Sequence, residues 1–241
     1  MKSMRIKSIL SLASLVGLGL LATAVQAGDT YPCCGTSTFP ATGQTISHPP
    51  TAKITDAPVR DDGVVRAGGA LRYQNNGDGT ITDLNTGLMW EQKIRDAVGA
   101  EGLHDVNRMF PWDSAAPTIW DWLEEVNTEG GTGLAGFNDW RIPNVKELQS
   151  IIDYGTSNPT VDMAFNNNPG LLATCGVADC SLTASAIYWT STTYAVSTAG
   201  AWNVNFFDGD VNKIDVGGLK SVSNRVRAVR GGCVMPVMPG T

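Results

Sequence analysis

The sequence is poor in the residues that most enzyme and metal sites require. It contains only two histidines, His48 and His104, and its five cysteines never occur as Cys-x-x-Cys. A zinc cluster or a covalently attached haem is therefore not expected. No phosphate-cradling glycine loop and no distinct acid–base pair of carboxylates stands out. These absences predict a protein that is not an enzyme and that needs no cofactor, with calcium as the one candidate ion.

An excess of positive charge is also missing. The 241 residues carry 17 Lys and Arg against 23 Asp and Glu, for a formal net charge of -6. Nucleic acid and anionic membrane surfaces are therefore not expected as main partners. Long apolar runs are absent too, except for residues 9–22, which are fewer than the ~20 residues that a membrane span needs.

The first 27 residues have the pattern of an export signal. Lys2, Arg5 and Lys7 precede the apolar run, and Val25-Gln26-Ala27 supplies small residues for cleavage before Gly28. Removal of residues 1–27 leaves 14 positive against 23 negative side chains, a net charge of -9. The sequence thus predicts a signal peptide and a mature chain without a transmembrane anchor. We expect it in the periplasm, at the cell surface or outside the cell.

All five cysteines lie in the predicted mature chain, where an oxidising compartment favours disulfides. Cys175 and Cys180 flank the short loop Gly-Val-Ala-Asp and are the predicted pair. Cys233 has two candidate partners near the other end, Cys33 and Cys34. The odd cysteine is a candidate for a link between chains, so a homo-oligomer is one expectation.

The mature chain divides into three parts by composition. Residues 28–69 are rich in Gly, Pro, Thr and Asp and predict an extended segment that either drapes over the domain or links it to something else. Residues 70–233 predict the folded domain, and residues 234–241 a tail. Turn dipeptides and alternating apolar residues predict β-hairpins in "RYQNNGDGTITDLNTGLMWEQ" and "AWNVNFFDGDVNKIDV", and further strands in "AIYWTSTTY" and "NRVRAVRGG".

Two helices are predicted among these hairpins. "TIWDWLEEVN" places Ile119, Trp122, Leu123 and Val126 on one apolar stripe. The second helix begins after Asn144 and is expected to end near Asp153. The fold class is therefore α+β, with two helices packed on antiparallel β-hairpins and an extended N-terminal segment.

The stretch "GFNDWRIPNVKEL" has two interpretations, a working site or a structural clasp. In the favoured clasp, Trp140 fills the core and Asp139 pairs with Arg141 or with a strand arginine such as Arg227. Asn144 then caps the second helix, and Glu147 reaches back to the N–H of the cap.

Two loops carry oxygen-bearing side chains that suit calcium. Asn76 and Asp78 resemble the start of a calcium loop, although the closing Glu of an EF-hand is missing and an ordinary turn is the favoured alternative. A second candidate site for calcium or sugar hydroxyls lies at the other hairpin tip and comprises Asn203, Asn205, Asp208 and Asp210. Beyond these loops, Arg225 and Arg227 are predicted to share one strand face that could hold a sulfate or carboxylate.

Five ordered motifs between about residue 39 and residue 232 resemble the DUF1566 family: "FPATGQT", "RYQNNGDGTITDLNTGLMWEQ", "GFNDWRIPNVKELQSIIDYG", "YWTSTTYA" and "AWNVNFFDGDVN…VRAVRGG". The named representative of this family is the C-terminal domain of the Legionella collagen-like adhesin. The resemblance implies a compact domain related to the C-type-lectin-like and sulfatase-modifying-factor folds. It also implies an association with trimers and sulfated glycosaminoglycans, whereas most family members have no assigned activity.

Three functions are considered from these observations. The leading expectation is an exported, non-enzymatic recognition domain for a glycan or a surface protein, as in adhesion. The alternative is a structural or assembly protein of the cell envelope or an extracellular assembly. The third, an enzyme of the sulfatase-modifying type, would use Cys175 and Cys180. It is disfavoured because the order and the surroundings of these cysteines differ from those in such enzymes.

Overall fold

A computed structural model describes six ranges of the chain: residues 39–47, 60–96, 102–114, 117–167, 181–212 and 217–231. The predicted signal peptide, the tail and all five cysteines lie outside the described residues. The disulfide between Cys175 and Cys180 therefore remains a prediction.

The described ranges form an α+β fold, as predicted. The strands are β1 (Tyr73–Asn75), β2 (Thr80–Asp83), β3 (Leu88–Glu91), β4 (Met109–Pro111), β5 (Ile187–Thr193), β6 (Ala201–Asn205), β7 (Asp210–Asn212), β8 (Ser223–Arg225) and β9 (Val229–Gly231). The α-helices are α1 (Asp62–Val65), α2 (Ile119–Thr128) and α3 (Val145–Gln149). Three single-turn 3₁₀ helices complete the described elements: Glu129–Gly131, Leu134–Gly136 and Met163–Phe165.

The strands form two sheets, with the orders β1-β2-β3-β9 and β4-β8-β5-β6-β7. Neighbouring strands are antiparallel apart from β5 and β8, which meet in parallel at Tyr188 and Arg225. The predicted hairpins β1-β2-β3 and β6-β7 are confirmed. The continuous strand expected over "NRVRAVRGG" is wrong, because the chain leaves one sheet after Arg225 and enters the other at Val229.

The described core consists of two large apolar clusters on opposite sides of shared strands and a small third one formed by Val106 and Leu182. The first cluster contains Trp90, and the second contains Trp189. Met89 and Trp90 of β3 belong to different clusters, as do Trp189 and Tyr188 of β5. Both faces of these strands are therefore buried. Helix α2 packs its predicted stripe into the second cluster through Ile119, Trp122 and Val126.

The second predicted helix starts where expected but is shorter. The side chain of Asn144 accepts hydrogen bonds from the N–H groups of Lys146 and Glu147, at 2.9 and 3.0 Å. The carboxylate of Glu147 accepts from the N–H of Asn144 at 2.9 Å, which completes the capping box. The helix ends at Gln149 rather than near Asp153, and Ile152 already pairs with Val161 as an isolated β-bridge.

The stretch around Trp140 connects helices to strands. Trp140 is buried, and its indole N–H donates to the carbonyl of Leu134 at 3.0 Å. Asp139 pairs with Arg230 of β9, at 2.7 Å between Nε and Oδ1. The partner is thus a strand arginine, which was one of the two expectations, but it is Arg230 rather than Arg227. Arg227 is not the partner of Asp139, and its guanidinium donates instead to the carbonyls of Glu91 and Leu182.

The described part of the N-terminal segment lies against the domain. The carbonyl of Thr42 accepts the N–H of Tyr154 at 2.7 Å, and Ala41 donates to Gly69 at 2.8 Å. Gly63 of α1 is buried, and a side chain there would overlap the carbonyl oxygen of Ile46. Helix α1 therefore packs directly on residues 39–47.

Candidate ligand-binding groove

A groove of about 470 Å³ opens beside the parallel junction of β5 and β8. We call it the polar groove. Its lining residues are Arg95, Val106, Asn107, Asn158, Pro159, Asn166, Leu182, Thr183, Ala184, Ser185, Ala186 and Arg225.

One wall of the polar groove is built on the loop at residues 102–107. The N–H of Val106 donates to the carbonyl of Ile94 at 2.8 Å, which places Arg95 beside this loop. The Nε of Arg225 donates to the carbonyl of Val106 at 3.1 Å. The same short segment thus fixes both arginines of the groove, although they are far apart in sequence.

The opposite wall is formed by Asn158 and Pro159, by Asn166, and by residues 182–186, which precede β5. Asn158 has a left-handed backbone with φ of 55°, and its N–H donates to the carbonyl of Phe207 at 3.1 Å. The hydroxyl of Thr183 donates to the carbonyl of Phe165 at 2.9 Å. The exposed Asn158 lies at the rim of the groove.

The polar groove has an excess of positive charge. Arg95 and Arg225 line it, and none of its described lining residues is Asp or Glu. The Nε of Arg95 is buried and has no acceptor among the described residues. A buried donor without a partner is costly, typically about 1–3 kcal/mol.

Arg227 does not line the polar groove. It is bonded to residues of the groove wall from the interior of the protein. The expectation that Arg225 and Arg227 share one strand face is therefore wrong. Arg227 is buried, and its guanidinium donates to the carbonyls of Glu91 and Leu182, at 2.8 and 2.6 Å. It also donates to the hydroxyl of Thr183 at 2.9 Å. Because these acceptors are backbone and hydroxyl groups of the interior, this arginine holds the groove wall in place.

A buried charge network lies next to Arg227. Oε1 of Glu91 accepts from Nζ of Lys93 at 2.7 Å and lies 2.8 Å from Nδ1 of His104. Oε2 of Glu91 accepts the N–H of Ala228 at 2.9 Å. Burial raises the pKa of Glu91, but the charge of Lys93 and the hydrogen bond from His104 outweigh it and bring that pKa to about 2.

His104 extends this network towards the surface. Its Nε2 lies 3.0 Å from Oε2 of Glu129, so both ring nitrogens face carboxylates. A doubly protonated imidazolium donates to both of them. Burial lowers the pKa of His104, but the hydrogen bond and the charge of Glu91, helped by Glu129, outweigh burial and raise that pKa above its usual value.

The predicted ligand residues of the β6–β7 hairpin do not converge on a shared site. Asn203 is buried in β6, whereas Asp208 and Asp210 are exposed at the turn. Oδ1 of Asn205 accepts the N–H of Phe207 at 3.1 Å, and Oδ1 of Asp208 accepts the N–H of Asp210 at 3.2 Å. These oxygens stabilise the turn itself.

The turn between β1 and β2 uses its oxygens in the same way. Oδ1 of Asp78 accepts from the N–H and the hydroxyl of Thr80, at 3.1 and 2.6 Å. The amide of Asn76 donates to the hydroxyls of Thr80 and Thr82, at 2.8 and 2.9 Å. Within the described ranges, no three His, Cys, Asp or Glu side chains are grouped so that they could hold a metal ion.

The sequence did not predict several of the residues that line the polar groove. Arg95, Asn107, Asn158 and Asn166 come from separate loops, and no periodic pattern connects them. The Asn158-Pro159 dipeptide is the one local signal, since Asn before Pro marks a turn. Of the predicted ligand residues, Arg225 is the one that lines the polar groove.

Comparison with known proteins identifies the family. The family model of the Lcl C-terminal domain matches residues 79–230, which is more than half of the chain. The protein therefore belongs to this family. This match confirms the resemblance to the Legionella collagen-like protein. All lining residues of the polar groove fall within the matched region. No curated protein matches the chain, and none of the helices in the described ranges is long and apolar enough to cross a bilayer.

Proposed function

We propose that this protein is an exported, non-enzymatic recognition domain that binds a carbohydrate carrying carboxylate or sulfate groups in the polar groove. The observation that carries the proposal is the composition of that groove. Two guanidinium groups and three asparagine amides line it, without a described carboxylate.

The chemistry of these side chains suits an acidic sugar. A guanidinium presents a planar fork of N–H donors that matches carboxylate and sulfate oxygens. Amide and hydroxyl groups, such as those of Asn107, Asn166 and Ser185, can both donate to and accept from sugar hydroxyls. The volume of about 470 Å³ lies in the range typical of small-ligand sites.

The negative charge of the whole chain does not oppose this proposal at short range. Charges are screened beyond about 8 Å at physiological ionic strength. The electrostatic energy of an acidic group inside the groove therefore depends mainly on Arg95 and Arg225 rather than on distant carboxylates. We expect binding that weakens as salt is added.

The test is a glycan array with the protein expressed from the full chain, run with calcium and with a chelator. We expect hits among acidic glycans that are unaffected by the chelator. Arg95→Gln and Arg225→Gln should each weaken binding about tenfold or more, because each removes hydrogen bonds to a charged group. Arg72→Gln is the matched control, since it removes one exposed arginine that does not line the groove.

Other outcomes would redirect the assignment. Hits that vanish with the chelator would move the site to Asp208 and Asp210. A blank array under both conditions would overturn carbohydrate recognition and favour a structural or assembly protein.

A further inference from the structure

A second groove, of about 420 Å³, lies between the N-terminal segment and α3. Most of its surface is apolar, and we call it the apolar groove. It shares no lining residue with the polar groove. Its lining residues are Phe39, Pro40, Ala41, Thr42, Lys146, Gln149, Ser150, Ile152 and Tyr154.

The apolar groove holds two aromatic rings open to solvent. Phe39 is 86 % exposed and Tyr154 is 38 % exposed, although both line the groove together with the buried Ile152. Their backbones are fixed by hydrogen bonds. The carbonyl of Phe39 accepts the N–H of Gly69 at 2.8 Å, and the N–H of Tyr154 donates to the carbonyl of Thr42 at 2.7 Å. An exposed apolar surface on a fixed backbone is typical of a binding site.

The last strand ends beside the helix that lines this groove. The carbonyl of Gly231, the final residue of β9, accepts from the guanidinium of Arg141 at 3.1 Å. The same guanidinium is bonded to Glu147 of α3. Gln149, which lines the groove, follows Glu147 by two residues, a rise of only about 3 Å along the helix. The chain therefore leaves β9 close to one side of the apolar groove.

The turn between β2 and β3 connects the end of β9 to the other side of the groove. The last residue of β9 lies opposite Leu88, directly after this turn. Within the turn, Nδ2 of Asn85 donates to the carbonyl of Ala70 at 2.7 Å. The residue before it, Gly69, is bonded to Phe39 at the rim of the groove. The end of β9 and the rim thus lie at the same end of the four-stranded sheet.

The residues that follow β9 have the chemistry of an apolar groove ligand. Residues 232–241 contain no charged side chain and carry Val-Met-Pro twice, at 234–236 and 237–239. Ten extended residues span up to about 33 Å, which is ample for this path. Each proline fixes its own φ and favours an extended conformation in the methionine before it.

This repeat also matches the two aromatic rings. An extended polyproline-type segment has three residues per turn, so Met235 and Met238 lie on one side, about 9 Å apart. Methionine is flexible, and its sulfur makes favourable contacts with aromatic rings. Proline-rich segments dock in aromatic-lined grooves at low entropic cost, because their extended form exists before binding.

From these observations we infer that residues 234–239 occupy the apolar groove of their own molecule, with the two methionines against Phe39 and Tyr154. The tail is then part of the folded unit and covers surface that the described residues leave exposed. This inference is independent of the proposed function, because the two grooves have no lining residue in common.

The test is site-specific photocrosslinking in the protein expressed from the full chain. A benzophenone amino acid replaces Met238, and mass spectrometry maps its cross-links. They are expected at residues 39–42 and 149–154 of the same molecule. The same group at Val196, which is exposed and does not line the groove, is the matched control and should give none there. Both proteins are irradiated with and without a reductant, because Cys233 adjoins the tail.

A second measurement does not depend on the cross-linker. Met235→Glu combined with Met238→Glu should lower Tm by about 2–4 °C, because the charged tail leaves the groove, whereas Val196→Glu should not change it. Cross-links that join two molecules, seen as a dimer band on a denaturing gel, overturn the inference in favour of a tail from a second copy. Cross-links to other parts of the chain, or an unchanged Tm in the double variant, also overturn it.

Discussion

Glu147 receives two hydrogen bonds from the guanidinium of Arg141, at 2.7 and 2.8 Å. The same carboxylate caps the N–H of Asn144 at the start of α3. Arg141 also donates to the carbonyl of Gly231 in β9, at 3.1 Å. One carboxylate therefore joins the beginning of a helix to the last strand of the four-stranded sheet.

Loss of this carboxylate should destabilise the fold. Glu147→Ala is expected to lower the free energy of unfolding by about 1–2 kcal/mol, since it removes a capping bond and a partly exposed ion pair. Glu147→Gln keeps an oxygen for the cap and should cost less. Urea denaturation measures the difference. Glu124→Ala on the exposed face of α2 is the control, and equal stability of the two alanine variants would contradict this role.

Trp140 should contribute to folding rather than to ligand binding. Trp140→Ala is expected to cost roughly 3–5 kcal/mol, because it leaves a cavity in the second apolar cluster and frees the carbonyl of Leu134. The half-exposed Trp120 is a matched control, and its replacement by Ala should cost only about 0.5–1.5 kcal/mol. Thermal melting distinguishes the two. A Trp140→Ala protein that melts like the parent but loses a ligand would show a working site instead.

Arg225 and Arg227, two residues apart, should respond oppositely to the same substitution. Arg227→Gln removes the donor to two interior carbonyls and should cost at least about 3 kcal/mol of stability. Arg225→Gln removes one hydrogen bond at the surface and should cost about 1 kcal/mol, with its main effect on ligand binding. Melting curves and glycan titrations of both variants test the contrast. Similar melting temperatures would show that Arg227 is not a structural arginine.

His104 should make stability depend on pH. The pKa of His104 is raised in the folded state, so the folded protein binds more protons than the unfolded chain above pH ~6.5. The stabilisation is therefore complete below that pH and is lost as pH rises through the folded pKa. Glu91 acts at acidic pH. Its pKa is lowered in the folded state, so the stability that it contributes is lost as pH falls towards 2.

Melting temperatures recorded between mildly acidic and mildly alkaline pH measure this effect. The groups that face His104 are Glu91, Lys93 and Glu129. His104→Gln should flatten the decline of stability on the alkaline side and cost about 1.5–3 kcal/mol at acidic pH. His48→Gln, at the only other histidine, is the control. An unchanged slope in His104→Gln would show that another group titrates.

Local patterns were sufficient for most of the fold. The turn dipeptides around Asn76 predict the first hairpins, and the apolar stripe from Ile119 to Val126 predicts α2, because both signals act within a few residues. The capping residues Asn144 and Glu147 predict the start of α3 for the same reason. The helix ends earlier than predicted, because the bridge between Ile152 and Val161 is a tertiary contact that overrides the apolar pattern.

The candidate site was less accessible to sequence reasoning. Alternation places Arg225 and Arg227 on one face only if the strand continues, and the change of sheet at residues 226–228 breaks that condition. Burial of Arg227 depends on acceptors at Glu91 and Leu182, more than forty residues away. Convergence of such distant segments has no local signature in the sequence. Only the folded chain shows that Arg95 and Asn158 line the same groove.

Strand β1 lies ahead of the region that the family model matches, which begins at residue 79. It nevertheless covers β2, whose residues Thr80, Ile81 and Asp83 are buried. A protein cut back to residue 79 would present a bare row of backbone donors and acceptors on β2, the kind of edge that recruits other chains. The region that the family model matches is thus smaller than the unit that keeps β2 covered, and expression of this domain should begin well upstream of Tyr73.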